Sequence, residues 1–76
     1  MSETKTNSAY FGRKTCKCNA DVLLYGYYDD KLQFYKGREY KVELFDKYYH
    51  VYMVNDYYHY VSLNEGEFNK HFELIY

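Results

Sequence analysis

The chain has 76 residues, 47% apolar and 24% aromatic, and its ten basic and eleven acidic side chains leave a formal net charge of −1. That length permits one domain, close to the lower limit at which a single core holds without staples. The near-balance of charge argues against nonspecific nucleic-acid binding, which draws on clustered, uncompensated Lys and Arg, and no apolar run approaches the ~18 residues of a membrane span.

In chain order, Met1–Ser8 is polar and lacks the hydrophobic stretch of a signal peptide, so a cytoplasmic protein with a flexible segment over residues 1–10 is expected, followed by one domain over 11–76. Arg13–Asn19 alternates, with Thr15, Lys17 and Asn19 on one side and Cys16 and Cys18 on the other, which predicts a first strand. Ala20–Tyr28 continues as extended chain or an irregular arm, ending at Asp29-Asp30. Leu32–Tyr35 reads as a short strand running into a Lys36-Gly37-Arg38 turn. Glu39–Asp46 is the cleanest strand: Tyr40, Val42 and Leu44 face one way and Glu39, Lys41 and Glu43 the other, as in a sheet with one wet side.

Tyr48–Val54 and Tyr57–Leu63 flank Asn55-Asp56; as a two-residue hairpin loop that pair would set Tyr52 opposite His59 and His50 opposite Val61. Both faces of that hairpin are amphipathic, so alternation alone does not select the buried one. A three-residue loop or a bulge changes the pairing, and the favoured arrangement puts Val51 and Met53 in the core, with Val61 and Leu63 inward after a bulge. Asn64–Glu67 is a loop, Glu67–His71 forms one helical turn bringing Phe68 and Phe72 together at i and i+4, and Phe72–Tyr76 closes as a strand. Five short strands and one helical turn before the last strand predict a mainly β protein, a small five-stranded barrel.

The stretch Phe34-Tyr35-Lys36-Gly37-Arg38-Glu39-Tyr40-Lys41-Val42 resembles the F-x-K-G-x-x-Y-x-V segment of small SH3-like barrels, in which a strand passes through a Lys-Gly turn into a long alternating strand. The later hairpin and the Glu67–Phe72 turn before a last strand follow in the same order. The likeness is to the short SH3-like proteins encoded by bacteriophages and prophages, and it spans Cys16 to Leu74. It implies an SH3-like barrel of viral origin acting in the bacterial host cytoplasm. By analogy it also implies a binding protein that blocks or redirects host machinery, including inhibitors of antiviral defence systems; a fold by itself does not fix a function.

Thirteen tyrosines, with no tryptophan and no proline, crowd towards Tyr25–Tyr60. A tyrosine ring supplies large apolar area, its hydroxyl keeps a hydrogen bond, and only two χ angles freeze on contact. A core this small cannot bury them all, so a partner-binding patch is expected from Tyr25, Tyr27, Tyr28, Tyr48, Tyr57 and Tyr58. Asp29, Asp30, Asp46 and Asp56 then set electrostatic register against a host protein, and self-association through an uncovered strand edge is a further way to use the surface. The alternative is a nucleic-acid-binding barrel in which Arg13, Lys14 and Lys17 hold phosphates and tyrosines stack on bases. Lys36, Arg38, Lys41 and Lys47 interleave with Glu39, Glu43 and Asp46, so no continuous cationic stripe supports it.

No spacing of His, Cys and acidic residues assembles a catalytic set, and no enzyme is expected. Cys16, Cys18, His50 and His59 supply four zinc-type ligands, but Cys-x-Cys is a rare spacing for structural zinc. The expectation is two packed thiols, no metal and no cofactor.

Overall fold

The computed structural model describes residues 10–54 and 56–75, with the backbone alone at residues 10–13 and 57. The flexible segment expected at the start therefore lies outside the described residues, except that Tyr10 already belongs to the first strand. The elements are β1 (Tyr10–Cys18), β2 (Val22–Tyr25), β3 (Lys31–Phe34), β4 (Glu39–Phe45), β5 (Tyr48–Met53), β6 (Asp56–Leu63), α1 (Glu65–His71) and β7 (Phe72–Leu74). Strands dominate the described residues beside one short helix, so the mainly β expectation holds.

The architecture departs from five strands in a barrel. Seven strands among the described residues form two antiparallel sheets, one of five strands in the order β6-β5-β4-β1-β7 and a ribbon of β2 and β3, and these do not close into a barrel. The arm expected over Ala20–Tyr28 supplies the missing strand. Val22 and Leu24 pair with Phe34 and Leu32, and both are half-buried against the core. Two apolar contacts at a spacing of two are enough to fix a short ribbon strand once β3 is there to receive it.

One core holds both sheets and the helix. Its buried members are Cys16 and Cys18 on β1, Leu32 and Phe34 on β3, Tyr40 and Val42 on β4, Val51 on β5, Val61 and Leu63 on β6, Phe68 on α1, and Phe72. Each large apolar side chain buried contributes about 1.5–3 kcal/mol. The rings interlock: Phe34 meets Tyr40 edge-on at 4.9 Å and Phe72 at 5.3 Å, while Tyr49 stacks on Phe68 at 4.3 Å. Phe68 and Phe72 meet at 5.7 Å, as the i, i+4 spacing predicts. The helix begins two residues earlier than expected because the Asn64 side chain accepts the Glu67 N–H at 2.8 Å, capping the first turn.

Two tight turns join ribbon and sheet. Gly37 has φ +81°, a conformation that L side chains rarely adopt; its N–H donates to the Cys18 carbonyl, and the Cys18 N–H donates to the Arg38 carbonyl. Gly26 serves a different need, close approach. A β-carbon there would lie 2.7 Å from Asp30 Oδ1 and 3.2 Å from the Tyr60 carbonyl oxygen. That bare backbone lets the neighbouring Tyr27 N–H reach the Tyr60 carbonyl at 2.8 Å, which ties the ribbon to β6.

The β5–β6 hairpin carries the favoured bulge, not the register of a two-residue loop. Asp56 belongs to β6 and lies opposite Met53, and the pairing then jumps so that Tyr52 faces Tyr60, Val51 faces Val61, and His50 faces Ser62. Asp56 accounts for the jump: its Oδ1 accepts from the Tyr58 and His59 N–H groups, diverting them from the ladder. Past the bulge the alternation is inverted, so Val61 and Leu63 join Val51 in the core, with Met53 packed against it. No helix among the described residues is long and apolar enough to cross a membrane.

Candidate functional site: an aromatic surface across sheet and ribbon

The bulge sends Tyr60 to the outer face of β6, beside His50 and Tyr52 of β5. Tyr60 lies 4.8 Å from the His50 ring and 5.2 Å from Tyr52, and His50 in turn lies 4.9 Å from Phe45 at the end of β4. From the ribbon turn, Tyr27 stacks on Tyr60 at 5.3 Å with an interplanar angle of 17°, and Tyr28 stacks on Tyr58 at 4.8 Å and 9°. Tyr27 and Tyr28 meet edge-on at 5.2 Å. The result is one connected aromatic surface carried by three strands and a turn.

Its outer members are open to solvent. Tyr27 is 61%, Tyr28 50% and Tyr58 63% exposed, while Tyr60 and His50 are half-buried beneath them. Burial, then the neighbouring Tyr28 and Tyr27, raises the Tyr60 phenol above its ordinary value, so it stays a neutral hydrogen-bonding group at physiological pH. Burial also holds the His50 imidazole below its ordinary value, against a smaller opposing pull from Glu43. Beneath the rings, the Tyr52 hydroxyl donates to buried Glu43 Oε1 at 2.8 Å and pins the outer face of β4 to β5.

Beside this surface, His59 sits between two carboxylates, with Nδ1 2.8 Å from Asp56 Oδ2 and Nε2 3.5 Å from Asp30 Oδ2. Its ring meets Tyr58 edge-on at 4.9 Å. The hydrogen bonds from His59 and the Tyr58 N–H depress the Asp56 carboxyl below the usual range. Pairs this exposed contribute little to stability.

Of the residues expected at a partner surface, the structure brings together Tyr27, Tyr28 and Tyr58, with Asp30 adjoining through His59. Asp29 shapes the turn, at φ 66°, with its N–H donating to the Gly26 carbonyl. Tyr25 and Tyr48 are exposed outside the stacked set: Tyr25 pairs with Lys31 on the ribbon, and Tyr48 lies opposite Phe45, at the margin of the same sheet face. The Tyr57 side chain lies outside the described residues. Sequence reasoning missed Tyr60, His50 and Phe45. Their signal was the Asp56-Tyr57-Tyr58-His59 run, whose Asx turn shifts the register.

The alternative basic cluster is interleaved with acid. Lys17 is exposed between Glu39 on β4 and Glu73 on β7, Lys14 is half-buried, and Arg13 faces Glu43 across the register, its side chain lying outside the described residues. Cys16 and Cys18 are both buried. Burial and the neighbouring Cys18 push the Cys16 thiol up to about 12, and the Cys18 thiol donates to the Ala20 carbonyl at 2.9 Å. Among the described residues, no group of three or more His, Cys, Asp or Glu side chains is arranged to hold a metal ion.

Comparison with protein-family models, with curated proteins and with solved structures finds no match.

Proposed function

We propose that the chain is a non-enzymatic, phage-type protein-binding module that occludes a bacterial host protein, most specifically a component of an antiviral defence system. The observation that carries the binding reading is the stacked, half-exposed set Tyr27, Tyr28, Tyr58 and Tyr60, held by the ribbon and the sheet together. Rigid aromatic side chains of this kind lose little entropy on contact and dominate binding hot spots. Each outer ring already spends one face on its stacking partner, leaving edges, hydroxyls and one face for a partner.

The SH3-like part of the proposal draws on element order. A ribbon leads through the Lys36-Gly37 turn into long strand β4, a hairpin follows, and one short helix precedes a last strand that returns to β1. The viral and anti-defence parts rest on the resemblance carried by Phe34–Val42.

The test is affinity capture from bacterial lysate with the tagged chain, with and without nuclease, comparing wild type with a Tyr27→Ser, Tyr28→Ser, Tyr58→Ser variant. One or two proteins retained after nuclease treatment and lost with the variant are expected, with affinity falling at least about a hundredfold if two rings act as hot spots. Retention unchanged in the folded variant removes the tyrosine-anchor reading. Capture that disappears with nuclease replaces it with nucleic-acid binding.

A further inference from the structure

Next to the aromatic surface lies a cleft of about 370 Å³ between the ribbon, the start of β4 and the β5–β6 turn. Its apolar lining includes buried Leu32 and Tyr40 together with Met53. The two carboxylates of Asp30 and Asp56 also line it, with His59 between them, so formal negative charge meets apolar surface in one concavity. Asp30 Oδ1 is buried against the Gly26 turn without a hydrogen-bond partner among the described residues, while Oδ2 faces His59 at 3.5 Å, so Oδ2 is the oxygen open to an occupant. Arg38 also lines the cleft, with its guanidinium 5.3 Å over the Tyr35 ring.

A volume near the small end of ligand pockets, about 300–1,000 Å³, suits one long side chain and the backbone flanking it rather than a cofactor. The occupant that answers both the apolar walls and the carboxylates has a methylene stem and a terminal cation. The geometry points to a docking cleft for an arginine or lysine side chain of a partner protein, with its stem against Leu32, Tyr40 and Met53 and its charged head at Asp30 and Asp56. This deepens the protein-binding reading and rests on it. The His59 ring touches Tyr58, so cleft and aromatic surface are continuous, and a partner that covers the tyrosines can insert a basic side chain beside them. A guanidinium can divide its five N–H donors between two carboxylates, which favours Arg over Lys.

The experiment is a titration followed by amide shifts in nuclear magnetic resonance, with acetyl-Leu-Arg-Leu-amide as probe and acetyl-Leu-Glu-Leu-amide as control. Saturable shifts at Asp30, Met53 and His59 are expected with the arginine peptide and none with the glutamate peptide. In an Asp30→Asn, Asp56→Asn variant, whose amide oxygen at 56 still supports the bulge, affinity drops at least about tenfold. A Tyr27→Ser, Tyr28→Ser variant keeps tripeptide affinity within about twofold, because the ring contacts of those two run to Tyr58 and Tyr60 and not to a residue lining the cleft. Equal shifts with both peptides, no saturable shift with arginine, or affinity undiminished in the Asn variant overturns the cleft. Shifts confined to Tyr27, Tyr28 and Tyr60 also overturn it, yet leave the aromatic reading standing. Loss of protein capture with an intact arginine response separates the two claims from the other side.

Discussion

Gly26 shows how one missing side chain builds a surface. Its backbone lies so close to Asp30, Leu32 and Tyr60 that a β-carbon would meet the Leu32 Cδ1 at 2.9 Å as well as the Asp30 carboxylate. The Tyr60 carbonyl is main chain and cannot swing away. Gly26→Ala therefore costs about 1–3 kcal/mol by overpacking and weakens the Tyr27–Tyr60 tie. Urea denaturation measures the first effect, and loss of captured partner reports the second. His50 is a second residue with a measurable signature. Its folded value lies below the ordinary 6.5, so unfolding takes up a proton between the two values. Stability is complete above 6.5 and is lost as pH falls towards the folded value. The groups facing His50 are Phe45, Tyr60 and, electrostatically, Glu43. Denaturation midpoints compared between about pH 7.5 and 5.5 should decline in wild type and decline less in His50→Gln.

Among the elements, α1 depends most on the core it closes, since seven residues do not sustain a helix alone. Phe68 in the core, the Asn64 cap, Glu65 and Glu67 in the first turn and Lys70 and His71 in the last all favour it. Asn64→Ala removes the bond to the Glu67 N–H and should lower stability by about 1 kcal/mol, read as a shifted urea midpoint at unchanged slope. That helix, β4 and the closing strand were legible from spacing, since a period of two or an i, i+4 aromatic pair maps directly onto one face. The β2–β3 ribbon was not. Leu23 and Tyr25 are exposed and Val22 and Leu24 only half-buried, so the strand draws its order from β3 more than from its own pattern. The β5–β6 bulge was legible as the way to bury Val61 and Leu63 with Val51, but its position was not: a carboxylate competing for two backbone N–H groups sets where the pairing jumps. The aromatic surface stayed hidden with it, because Tyr60 reaches the outer face only past that bulge.

Over the whole molecule, polar and aromatic roles divide between two faces of the same sheet. The inner face of β4, β5 and β6 supplies Val42, Val51 and Val61 to the core, while the outer face supplies Phe45, His50 and Tyr60 to the surface. The tyrosine-to-serine triple variant should consequently lose binding far more than it loses stability. Stacked pairs are worth about 0.5–1.5 kcal/mol each beyond their area, and the buried aromatics Phe34, Phe68 and Phe72 remain untouched. Circular dichroism and a urea titration beside the capture assay separate the two losses. The hydrogen bond from Tyr27 to the Tyr60 carbonyl carries one last implication. It joins positions thirty-three residues apart along the chain, the difference between 60 and 27, so the surface exists only while ribbon and sheet are assembled. No short stretch of this sequence holds that surface by itself. A protease nick in the turn at Tyr27–Asp29 would leave the core residues in place and erase the binding face, which makes recognition a property of closure rather than of any segment.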